Sequence, residues 1–150
     1  MRRYLDTSVL VSILVDEARS QLAREWWKRA SGENVISAFA AMEVAAVVSR
    51  RVRTCVSSEN EACEVLRDFD LLRDACALHV HRRADFDLAD GLIRDFPTKL
   101  AAPDALHLAS AINLDATLVT FDERLTEAAR MRGAKVLNWN ANGGGERPEM

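Results

Sequence analysis

Short apolar runs alternate with helix-length amphipathic segments along nearly the whole chain, and no other feature narrows the possible folds as far. Runs of strand length stand at residues 3–5, 34–37, 78–81, 116–120 and 134–137. Between them, residues 8–14, 20–30, 38–53, 59–76, 85–95, the stretch opened by Pro103, and 122–132 read as helices. A strand that returns through a helix lies parallel to its neighbour. The pattern therefore predicts an α/β fold in three layers, with a parallel central sheet of about five strands and helices on both faces.

Local punctuation agrees with these boundaries. Ser58 and Glu61 have capping-box spacing at the start of 59–76. Pro103 suits a first helical turn, where its missing N–H costs nothing. Gly32 and Gly133 follow helix ends, where glycine is favoured. Within 38–53, apolar positions at Phe39, Met42, Ala46, Val47 and Val48 support one long helix.

At 150 residues the chain is expected to be one domain over 1–139, with a polar, glycine-rich flexible tail over 140–150. A net charge of −3 excludes whole-molecule attraction to nucleic acid, so any such binding must use local basic patches. Arg50, Arg51 and Arg53, then Arg82 and Arg83, then Arg130 and Arg132 are the candidates, although a helix-end run is first a match to the helix dipole. Cys55, Cys63 and Cys76 are odd in number and form no C-x-x-C pair, which fits free thiols in a reducing compartment. Asp6 interrupts the opening residues, and no apolar run reaches the roughly 18 residues of a membrane span. A cytoplasmic protein with no membrane association is the expectation.

Chemistry concentrates in four separated acids, Asp6, Glu43, Asp104 and Asp122. Asp6 and Asp122 follow strand-like runs, Asp104 stands in a first helical turn, and Glu43 lies early in the helix after the second run. Parallel sheets bind ligands beyond the carboxyl ends of their strands. Gathered carboxylates repel unless a cation lies among them, and a divalent metal with oxygen ligands is the usual answer. Such a centre serves phosphodiester chemistry. Ser8 and Thr120 are the hydroxyls placed to bond these carboxylates or a metal-bound water. Taken singly, each acid has an ordinary structural reading: Asp6, Asp104 and Asp122 as helix-start residues, Glu43 as a surface helix glutamate.

Other residues carry weaker signals. His79 and His81 would share one face of a short strand. His107 lies one turn beyond Asp104, either orienting it or simply packed. Trp26 and Trp27 are adjacent, so both cannot face one core, and one of them could cover a partner surface.

The words Tyr4-Leu5-Asp6-Thr7-Ser8, Pro103-Asp104-Ala105-Leu106-His107-Leu108-Ala109 and Leu118-Val119-Thr120-Phe121-Asp122-Glu123-Arg124-Leu125 resemble those of PIN-domain ribonucleases, and specifically VapC-type toxins of type II toxin–antitoxin pairs. The resemblance runs from Tyr4 to about Leu137, and Ser37–Glu43 fits the family's helix glutamate. It implies a doubly wound α/β fold and endoribonuclease activity dependent on Mg²⁺, with Mn²⁺ as a substitute. It further implies Asp6, Glu43, Asp104 and Asp122 as catalytic metal ligands, homodimerisation, and inhibition by a small cognate antitoxin. Rival readings are a PIN-fold nuclease of RNA processing without an antitoxin, and a non-catalytic acidic metal-binding module. A haloacid-dehalogenase-like phosphatase would need an aspartate where Ser8 stands.

Overall fold

The computed structural model describes residues 1–139, so the expected tail at 140–150 lies outside the described residues. Four strands form one parallel sheet: β1 (Arg2–Leu5), β2 (Glu33–Ser37), β3 (Ala77–His79) and β4 (Thr117–Val119), in the order β3-β2-β1-β4. Among the described residues seven α-helices accompany them. They are α1 (Thr7–Leu14), α2 (Ser20–Arg29), α3 (Ala38–Arg53), α4 (Glu59–Asp74), α5 (Arg83–Arg94), α6 (Ala102–Asn113) and α7 (Glu123–Met131). The predicted fifth strand is reduced to a single parallel bridge between Leu118 and Val136, held by Leu118 N–H to Lys135 O at 2.8 Å and Leu137 N–H to Leu118 O at 2.9 Å.

The chain forms two compact units, one of Leu5–Val80 and one of Met1–Tyr4 with the residues from His81 onward. In the first, β2 and β3 pair with Val35 opposite Ala77, Ile36 opposite Leu78 and Ser37 opposite His79. Helix α1 packs on α2 and α3, and α3 on α4. Val9, Leu10, Ile36, Val44 and Phe69 are buried there. The Ser58 capping box forms as expected: Ser58 Oγ accepts from Glu61 N–H at 3.2 Å, and Glu61 Oε2 accepts from Ser58 N–H at 2.7 Å.

Packing here defines one helix face and corrects one expectation. The buried stripe of α3 is Ala40, Val44 and Val48, while Met42 is 61% exposed and Ala46 is exposed. The helix is apolar on most sides, so periodicity alone underdetermined which side packs. Strand β3 stops at His79, leaving His81 beyond it with its ring 5.9 Å from that of Phe86, so the two histidines do not share a strand face. Trp26 and Trp27 are both half-buried and touch each other, ring centroids 6.5 Å apart.

In the second unit α5 packs along α6. Asp85, fully buried, links them: its carboxylate accepts the Arg82 N–H at 2.7 Å and the Asn113 side-chain amide at 2.8 Å. That bond at the helix start is why α5 begins at Arg83, two residues before the predicted start.

Three helices close with the same pair of backbone bonds, in which a left-handed residue lets the chain fold back on the last turn. After α3 the left-handed residue is Cys55, at φ 57°, with Cys55 N–H to Val52 O at 3.0 Å and Val56 N–H to Arg51 O at 2.9 Å. After α6 it is Asp115, at φ 50°, and after α7 it is Gly133, at φ 64°. Only the last was legible as a stop signal, because only there does glycine occupy the turn.

Candidate active site

Asp6 follows β1 directly and occupies the N-cap position of α1, with an extended backbone at φ −74° and ψ 154°. Its side chain is 5% exposed and makes no capping bond to the helix. Oδ2 instead accepts the Ser8 hydroxyl at 2.7 Å. A carboxylate at a helix start ordinarily bonds the free amides there. Here it is held by a hydroxyl one residue into the helix.

Glu43 stands in the second turn of α3, whose start is set by Ser37, the Oγ of which accepts the Ala40 N–H at 2.9 Å. Its position beside Val44 on the packed side makes it half-buried. Glu43 Oε2 accepts the Thr7 hydroxyl at 2.5 Å. The first turn of α1 therefore presents successive hydroxyls to two of the predicted acids: Ser8 to Asp6 and Thr7 to Glu43. Thr7 was not singled out from the sequence. Its only signal was its place between two residues that were.

Asp104 lies in the first turn of α6, two residues after the helix start and next to Pro103, and is half-buried. The exposed amides and dipole of that turn favour a negative charge. His107, one turn on, is buried and pairs through Nδ1 with the Tyr4 hydroxyl at 2.9 Å.

Asp122 is the N-cap of α7, and Oδ1 accepts the Leu125 N–H at 2.9 Å. Thr120 Oγ1 accepts the Asp122 N–H at 3.0 Å, so it bonds the backbone of this residue. The connection is pinned from outside as well. The Trp139 indole donates to Thr120 O at 2.7 Å and stacks on Phe121, centroids 4.3 Å apart.

Among the described residues no group of three or more His, Cys, Asp or Glu side chains is gathered closely enough to hold a metal ion by itself. Mg²⁺ does not require one, since it retains several waters and takes one or two carboxylates together with substrate phosphates. Asp6 and Glu43 offer hard oxygen donors already oriented by hydroxyls, and that donor chemistry fits a hydrated divalent cation. The cysteines do not compete for such a role. All three are free, and burial pushes the Cys76 thiol up to about 11, keeping it protonated at neutral pH. No helix among the described residues is long and apolar enough to cross a membrane.

A family model described as the PIN domain matches residues 3–131. Solved structures of similar fold include FitAcB from Neisseria gonorrhoeae, at 15% identity and TM-score 0.72, covering 95% of this chain and 100% of that one. Another is VapC20 of Mycobacterium tuberculosis, a toxin that cleaves the sarcin-ricin loop, at 17% identity and TM-score 0.69, covering 85% and 95%. A third is a chain of a toxin–antitoxin complex from Klebsiella pneumoniae, at 18% identity and TM-score 0.67, covering 91% and 97%. At these identities the likeness is one of fold. No curated protein matches the sequence.

Proposed function

The chain belongs to the PIN-domain family, and on that premise we propose that it is a metal-dependent endoribonuclease, the toxin of a toxin–antitoxin pair, hydrolysing RNA phosphodiester bonds in the cytoplasm. The observation that carries this reading is that the family match over residues 3–131 takes in all four acids, with Asp6 and Glu43 each held by a hydroxyl. The solved neighbours named as a sarcin-ricin-cleaving toxin and as a toxin–antitoxin complex support the toxin role.

In this reading Asp6, Glu43, Asp104 and Asp122 would hold one or two Mg²⁺ ions, directly or through water, with Mn²⁺ as a substitute. The bound ion supplies Lewis acidity and a water of lowered pKa. The chain's own contribution is orientation. Ser8 aims Asp6, and Thr120 fixes the backbone from which Asp122 projects. A small cognate antitoxin is the proposed inhibitor, and a homodimer the proposed assembly.

The test is cleavage of RNA by the purified chain with Mg²⁺ or Mn²⁺, with EDTA, and by Asp6→Asn and Asp104→Asn variants. Cleavage abolished by EDTA and by either substitution is expected. Full activity in EDTA, or in both variants, overturns the metal mechanism. Growth arrest on induction, relieved by a small protein encoded beside the gene, is expected for the toxin. A nuclease of RNA processing would show no such relief.

A further inference from the structure

Resting on the nuclease reading, we infer that Thr7 is a positioning residue that fixes the Glu43 carboxylate for metal binding. Thr7 is the first residue of α1, 36 positions away from Glu43 in sequence, and its hydroxyl donates to Oε2 at 2.5 Å. Helix α1 packs directly against α3, so this bond runs between two fixed elements. Glutamate reaches its carboxylate through three rotatable bonds, and ordering so long a side chain has a high entropic cost. A charge-assisted bond from a neighbouring helix removes much of that freedom before a cation arrives.

Threonine is better suited to this than serine. Its branched β-carbon restricts χ1, so the hydroxyl points in few directions. Both partners are half-buried at the surface. A neutral-for-apolar change there leaves no deeply buried group stranded, so the fold is expected to tolerate it. The arrangement parallels the Ser8 bond to Asp6 one residue later at 2.7 Å, so Asp6, Thr7 and Ser8 form one short orienting segment.

The decisive variants are Thr7→Val, which keeps the shape and loses the donor, and Thr7→Ser, which keeps the donor. Calorimetric Mn²⁺ binding to the purified chain is the primary readout, with the melting temperature in EDTA as a fold control. Thr7→Val is expected to bind Mn²⁺ about tenfold more weakly with little change in melting temperature. Thr7→Ser is expected to stay within about twofold of the parent. In a Glu43→Ala background, which removes the acceptor, Thr7→Val should have no further effect, because the two residues then no longer act as a pair. Three results overturn the inference: unchanged binding in Thr7→Val, a loss that persists in the Glu43→Ala background, or a parent chain that binds no Mn²⁺. A parent that binds Mn²⁺ but does not cleave RNA overturns the nuclease reading instead, and leaves the Thr7–Glu43 coupling to be judged by the binding data.

Discussion

The Tyr4 hydroxyl lies 2.9 Å from Nδ1 of His107, a buried pair that ties β1 to the helix carrying Asp104 one turn earlier. Either ring can donate, depending on the imidazole tautomer. Tyr4→Phe removes one partner and leaves the imidazole in place. A loss of about 1 to 3 kcal/mol is expected, the range for a buried polar group deprived of its bond. Urea unfolding followed by circular dichroism measures it, and a variant as stable as the parent would show that the pair contributes nothing net.

Asp85 is the other buried junction, joining the Arg82 amide and the Asn113 side chain at 2.7 and 2.8 Å. Asp85→Ala strands donors on both α5 and α6 and is expected to destabilise by about 3 kcal/mol. Asn113→Ala should cost less. The double variant should fall short of the sum, since the residues share one bond. Paired denaturation curves decide this.

Cys55 occupies a left-handed turn, φ 57°, that glycine enters without strain. Cys55→Gly is expected to stabilise the chain by about 0.5 to 1 kcal/mol, read as a rise in melting temperature. A fall would mean that the cysteine side chain makes contacts outweighing the backbone strain.

Asp115 accepts a hydrogen bond from Lys135 at 2.6 Å. That bond first, then the charges of Lys135 and Arg2, hold its carboxyl below the ordinary value of 3.8 against a smaller opposing effect of desolvation. A folded pKa below the unfolded one gives stability that is present above the unfolded value and lost as pH falls through the folded value. Melting temperature should therefore drop more steeply below about pH 4 in the parent than in Asp115→Asn. High salt should narrow the difference, because the pair is exposed.

Much of the architecture could be read before any coordinates. The order of strands and helices, the Ser58 cap and the Gly133 stop follow from local rules that neighbouring residues obey. What escaped depended on partners distant in sequence. Nothing local marks Asp85 as buried, because its partner Asn113 lies 28 residues away. The packed side of α3 stayed open, because an apolar helix shows its face only against a neighbour. The αL turns at Cys55 and Asp115 were hidden because neither position carries the glycine that usually marks such a stop. The acids were legible as positions, yet Thr7, which holds one of them, was not. Its role exists only where α1 meets α3.

Asp6 and Asp122 occupy equivalent N-cap positions after their strands, and their side chains do opposite things. Asp122 caps its helix at Leu125, while Asp6 makes no capping bond and is held by Ser8. Under the proposed function the residue at 122 therefore combines a ligand role with a helix cap, and the residue at 6 does not. A library of variants sorted only for survival of heating should conserve position 122, where a lost cap costs about 1 kcal/mol. At position 6 no cap is at stake, and the cost of substitution falls instead on the Ser8 bond and on a side chain that is 5% exposed.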